Sequence, residues 1–231
     1  MAAPAIQRDT LDRFTSYPST VEGAGVCFDA LSQATRYASY LSLSASQLST
    51  AHKVVSVADT ISGSLAWPEL ITGLNDCRHS FSALQDGLLD PSQADRISSL
   101  FKKAAIDGLT SIGMACQGVH TFAENGLISA ASALPFLGGG ISGTCLIVDS
   151  VGMYDAAQEL QKDLSAEEKQ LQGLKFTKHL ARWALSFIGV LSLITQTVVL
   201  PFVGLFSSSV YLIMKIFIFM AEQKKKDAQQ V

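Results

Sequence analysis

The sequence predicts an all-α chain, with an amphipathic helical region followed by a C-terminal apolar helical hairpin suited to a membrane. Three observations lead there. Apolar residues recur at helical spacing, most cleanly at Leu70, Ile71, Leu74, Cys77, Phe81, Leu84 and Leu88. Helix-start signals punctuate the chain at Ser19–Glu22, Asp90–Gln93 and Ser165–Glu168. Finally, the run 183–220 carries a single charge, Lys215.

That run organises the rest. As one helix rising about 1.5 Å per residue it would far exceed the roughly 30 Å hydrocarbon core of a bilayer. It divides at Pro201, which lacks a helix donor, and Gly204, which permits a turn. Two lobes result, 183–200 and 205–220, each needing a few flanking residues to reach the roughly 20 of a usual span. Lys175, Lys178, His179 and Arg182 precede the first lobe, and Lys224, Lys225 and Lys226 follow the second. Positive charge at both outer ends places both on one side of a membrane, with the uncharged turn opposite. Lys215 can snorkel towards that charged end. On the first lobe Trp183, Phe187, Ile188, Leu191, Ile194 and Val198 are the expected anchors. Leu205, Tyr211, Ile213, Ile216 and Phe219 serve the second, and the basic residues hold the interfacial ends. The alternative is a core hairpin buried in a soluble helical protein.

Taken in order, 1–19 reads as a flexible, hydroxyl-rich terminus without the apolar core of a Sec-type signal. The helical domain covers 20–173. Its first helix starts near Thr20 and shows Cys27, Leu31, Ala34, Ala38 and Leu41 at helical spacing. The stretch 39–49 reads as a frayed end or loop. Ala51, Val54, Val55, Ala58, Ile61 and Leu65 mark the next helix, which Trp67-Pro68-Glu69 separates from the 70–88 stripe. A long helix follows Asp90-Pro91, through Ile97, Phe101, Ala105, Leu109, Ile112 and Cys116, and stops at Glu124-Asn125-Gly126. The uncharged segment 126–148 is broken by Pro135 and Gly138–Gly140 and is long enough for a second span. Ser165–Glu168 starts the helix entering the hairpin domain, 174–222, and 223–231 is a basic tail.

The composition leans towards membrane: 48% hydrophobic, 16% charged, net charge −3 over 231 residues. Nothing in it suggests nucleic acid as a partner. Cys27, Cys77, Cys116 and Cys145 form no CxxC pair and read as thiols in a reducing compartment. Gly138, Gly140 and Gly143 match GxGxxG literally, but no strand precedes them and no βαβ unit surrounds them. The four histidines are dispersed, and neither HExxH, GxSxG nor a phosphate loop occurs. The expectation is therefore a non-enzyme with no cofactor, no metal and no catalytic residues. Its partners would be a lipid bilayer, other proteins, and a second copy of the chain.

Two apolar lobes joined by a tight turn, both tails on one face, resemble the bilobed anchor of chlamydial inclusion-membrane (Inc) proteins. The order FKKAAIDGLTSIGMA, then GGGISGTCLIVDSVGMYDAA, then LKFTKHLARWALSFIG is similar to the class I accessible protein group of that family, over roughly 100–220. The chain differs from the commonest Inc arrangement in carrying its hairpin at the C-terminus. The resemblance implies type III secretion and insertion into the inclusion (vacuole) membrane, with both termini facing host cytosol. It further implies an anchored platform engaging host or bacterial proteins. Two other classes stay open. Serial amphipathic helices before an apolar hairpin also resemble the peroxins that elongate peroxisomes, although Glu69, Asp76 and Asp86 against Arg78 work against attraction to anionic lipid. A soluble helical oligomer would instead bury the hairpin between subunits.

Overall fold

A computed structural model describes residues 15–39, 44–129, 131–195 and 201–229. It has six α-helices and, among the described residues, no strand. They are α1 (Val21–Ala38), α2 (Ala45–Leu89), α3 (Ile97–Glu124), α4 (Leu134–Leu160), α5 (Ala166–Thr195) and α6 (Pro201–Gln229). Each helix packs on the next in sequence, and α6 packs back on α1, so the six close into a ring of antiparallel neighbours. Cross-links fix the directions. Asp59 of α2 meets Arg36 of α1, Asn125 beyond α3 meets Thr60, and Glu222 of α6 meets Lys175 of α5.

Several starts and stops follow the local chemistry. Ser165 and Glu168 form the expected capping box, Glu168 N donating to Ser165 Oγ at 3.3 Å and Ser165 N to the Glu168 carboxylate at 3.2 Å. Asp90 accepts from Ser92 N at 2.9 Å and caps a 3-10 turn, Pro91–Arg96, that leads into α3. Asn125 ends α3, and Gly126 follows with φ +69°, a conformation glycine adopts without a Cβ clash. The start of α1 is shifted by one residue: Thr20, not Ser19, is the cap, accepting from Gly23 N at 2.9 Å. Ser44 and Gln47 form a capping box that opens α2, so 45–49 is helical rather than frayed; Leu41 lies outside the described residues.

Two expected breaks are not breaks. Pro68 lies inside α2, which runs unbroken for 45 residues, about 67 Å long. Proline forfeits one bond, to the Ser64 carbonyl, but Ala66 and Leu70 on either side are buried, and Trp67 stacks on Phe122 of α3 at 5.3 Å. Packing on both sides of the proline outweighs the lost bond. Pro135 stands in the first turn of α4, where it is tolerated, and Gly138–Gly140 continue the helix. At the expected hairpin division Pro201 opens α6 and Gly204 lies in its first turn; 196–200, Val198 among them, lie outside the described residues.

The terminal reading also changes. Tyr17, placed in the flexible stretch by sequence, is 1% exposed and packs on Phe219 of α6 at 5.4 Å. α6 of the hairpin lies along α1 of the helical region.

The ring is built from small side chains. Its buried apolar residues are mostly alanines: Ala51, Ala58, Ala66, Ala104, Ala123 and Ala156. Leu70 and Ile218 are the only large aliphatics among the buried described residues. Ser32, Ser80, Ser111, Thr121, Thr144, Ser186, Ser207 and Ser208 fill other interhelical positions. At Gly63 a Cβ would lie 1.8 Å from Thr121 Oγ1, so α2 and α3 approach as closely as they do only because glycine is there.

A candidate membrane-facing surface

Large apolar side chains stand on the outside. Phe187, Leu191, Leu193 and Ile194 of α5 are exposed, as are Phe202, Phe206, Ile213 and Phe217 of α6. On α4, Phe136 is 82% exposed and Ile147 half-exposed. Phe136, Ile194, Phe202 and Phe206 lie near the same end, because α4 and α5 are antiparallel (Gly139 meets Leu193) and α6 begins where α5 ends. Of the expected anchors, Phe187, Leu191, Ile194 and Ile213 are exposed, while Ile188, Leu205 and Ile216 are half-buried. Trp183 stacks on Phe187 at 5.2 Å and donates to Ser150 Oγ at 3.0 Å. Tyr211 and Phe219 turn towards neighbouring helices.

The charges of this half point the other way. Asp149 of α4 is 1% exposed and holds two groups of α5: Arg182 Nε donates to it at 2.7 Å, and His179 Nδ1 lies at 2.7 Å. Gly152 makes room for that histidine, since a Cβ there would sit 2.5 Å from its ring. The Arg182 guanidinium also reaches Tyr211 of α6 at 3.5 Å. Lys215 pairs with Glu22 of α1 and lies over the Tyr211 ring. It does not snorkel along its own helix. Lys178 adds a cation beside Lys215 and Arg182. A layer of paired charge therefore crosses α1, α6, α5 and α4, buried at Asp149, partly covered at Arg182 and Lys215, and exposed at Glu22.

The remaining basic residues cross-link the hairpin. Lys175 reaches Glu222 at 3.7 Å, and Lys224 reaches Glu167 at 3.2 Å. Lys225 and Lys226 fall in the last turns of α6. Sequence reasoning placed the hairpin and its basic ends but missed the charge layer. One signal was present: Asp149 is the only charged residue between Glu124 and Asp155. A lone carboxylate in so apolar a helix needs a buried partner.

The α1–α3 half exposes charge as well as large apolar side chains such as Ile71, Leu74, Phe81 and Phe101. Asp76, Arg78, His79 and Asp86 of α2 and Lys103 of α3 are exposed. Lys103 bonds Asp107 and Ser80 Oγ, and Lys102 pairs with Asp155 of α4. A cleft of about 480 Å³ beside α2 is lined by Glu22, Glu69, Asp76 and Asp107 with Thr72 and Thr110. Burial pushes the Glu69 carboxyl above its ordinary range, and the Glu22 charge adds to the effect. No three His, Cys, Asp or Glu side chains among the described residues are placed to share a metal ion. Gly138, Gly140 and Gly143 lie within α4, not in a strand-to-helix turn.

The fold and its surface define an all-α bundle with small residues inside, large apolar residues outside, and two helices, Leu134–Leu160 and Leu205–Lys224, long and apolar enough to cross a membrane. Comparison with family models, curated proteins and solved structures finds no match.

Proposed function

We propose that the chain is a non-enzymatic, membrane-anchored helical platform: α4–α6 hold lipid, and α1–α3 present an aqueous surface to other proteins. One observation carries this reading, the radial polarity of α4–α6. Phe136, Phe187, Ile194, Phe202 and Phe206 face outward while Asp149, Arg182 and Lys215 face inward. In water each large apolar side chain left exposed forfeits about 1.5–3 kcal/mol of burial. In a bilayer the same surface is solvated, and small residues between helices supply the packing. The exposed Leu74, Phe81 and Leu88 of α2 recur every seventh residue beside Asp76, Arg78 and Asp86, which suits an aqueous helical partner. In the setting that the Inc resemblance implies, the platform reaches the inclusion membrane by type III secretion, with both tails in host cytosol.

The test combines carbonate extraction with thiol labelling. In a background free of native cysteine, Gln170→Cys and Ala228→Cys are introduced separately. Membranes should retain the protein through carbonate, and an impermeant reagent on one face should label both sites or neither. Release by carbonate removes the anchor. Labelling of one site alone removes the hairpin. The α2 stripe also favours a second reading, a soluble oligomer that covers its apolar surface, which would show as full carbonate release together with a multimeric mass in detergent-free buffer.

A further inference from the structure

The closed ring and an apolar hairpin surrounded by lipid make opposite demands on α1. α6 is apolar over Leu205–Lys224, yet α1 lies along that length and brings Glu22, Asp29 and Arg36 with it. Asp29 faces Ser208, whose Oγ is 3.1 Å away, and Glu22 faces Lys215. Arg36, at the last turn of α1, pairs with Asp59 next to where Tyr37 meets Phe202 at 6.1 Å. Entry of α6 into hydrocarbon with α1 attached would take these charges with it.

The seam between α1 and α6 is built differently from the three in the middle of the chain. There glycines bring helices into close contact: Gly63 against Thr121 between α2 and α3, Gly113 against Thr144 between α3 and α4, and Gly189 against Ser142 between α5 and α4. No described glycine joins α1 to α6. Among the described residues that seam carries a serine–carboxylate bond, an ion pair and the tilted ring contacts Tyr17–Phe219 and Tyr37–Phe202. Polar groups of this kind are readily resolvated by water, whereas close-packed small-residue seams are not. The tight seams would hold α2 to α5 together after α1 has left, and the Arg182–Tyr211 and Lys175–Glu222 contacts would keep α6 on α5.

We propose that the ring opens at the α1–α6 seam when the protein enters a bilayer, and that lipid replaces α1 on the face of α6 it now covers. This rests on the membrane reading above. The closed ring is then the form that travels through water. The opened arc is the form that stays in the membrane, with α1 and its three charges returned to the aqueous side. Lys215, released from Glu22, remains beside Tyr211 and the Arg182–Asp149 pair.

A disulfide across the seam tests this. In the cysteine-free background, Asp29→Cys with Ser208→Cys makes one staple and Glu22→Cys with Lys215→Cys a second. Each protein is added, oxidised or reduced, to vesicles of phosphatidylcholine and phosphatidylglycerol, and the carbonate-resistant fraction is measured. Reduced protein should insert, and oxidised protein should insert roughly tenfold less or worse for both staples. Far-UV circular dichroism of the oxidised form should match that of the unstapled chain. Equal insertion of oxidised and reduced protein overturns the opening and makes the closed ring itself the membrane form. If the unstapled chain also fails to insert, the membrane reading has failed, and the two failures are told apart by that control.

Discussion

The α1–α3 and α4–α6 halves have similar helix content, and both expose large apolar side chains. Residues 134–150 and 205–221, however, expose no charge among those described, whereas α2 exposes several. In α4–α6 the charges Asp149, Arg182 and Lys215 lie between helices, and Phe136, Phe187, Phe202 and Phe206 lie outside. In α1–α3 the charges Asp76, Arg78, Asp86 and Lys103 lie outside. Both halves pack through alanine, serine and glycine, for example Ala66, Ala104, Ser111 and Gly63 in one and Ala156, Ser186 and Gly189 in the other. Small-residue packing therefore does not separate the proposed membrane half from the proposed aqueous half. The proposal rests instead on where charge is placed, because an outer face in lipid disfavours exposed charge.

The comparison breaks most simply if the halves are separated. A fragment holding α4–α6 should resist carbonate on membranes, and one holding α1–α3 should be released. The reverse partition would invert the assignment. The charge layer gives the next largest effect. Asp149→Ala leaves Arg182 and His179, both half-buried, without their acceptor, a loss of up to about 3 kcal/mol. In detergent this should lower Tm by roughly 10 °C. An unchanged Tm would mean that water already reaches the layer. Gly63→Ala sets a Cβ against Thr121 and should cost about 1–3 kcal/mol by urea titration. It would sharpen the claim that the aqueous half also depends on close approach.

A smaller effect concerns Asp29, which faces Ser208, Gln33, Asp59 and Arg36. Burial raises its carboxyl above the ordinary range, against the Ser208 hydrogen bond that lowers it. The folded state thus holds the proton more tightly than the unfolded chain. Its contribution is fully present below the ordinary carboxylate pKa and is lost as pH rises through the raised one. Stability measured across mildly acidic pH should fall in that direction, and Asp29→Asn should flatten that part of the profile. The smallest expected effect is Arg78→Ala, an exposed change that should stay within about 0.5 kcal/mol.

Much of this was legible in the residues. Ser165–Glu168, Asp90-Pro91 and Asn125-Gly126 mark helix ends because the bonds involved are local. The hairpin was legible because an uncharged run with basic ends needs no knowledge of its neighbours. Pro68 misled because its helix is held by Trp67 against Phe122 and by buried Ala66 and Leu70, contacts made with a different part of the chain. Tyr17 misled for the same reason: its partner is Phe219. The charge layer required knowing that Asp149 faces Arg182 and that Lys215 faces Glu22, which helix periodicity cannot say.

The ring's order also has a consequence for synthesis. Five of its six junctions join helices adjacent in the chain, so each can form soon after its second helix leaves the ribosome. The sixth joins residues 179 and 193 positions apart, Asp29 with Ser208 and Glu22 with Lys215. It cannot close until the last helix has emerged, and until then the α1 face stays unpaired with α6. The contact that completes the fold last is the same one whose loss would commit the chain to lipid. A nascent chain and an inserting chain would then share one intermediate, an open arc of helices with α1 unpaired.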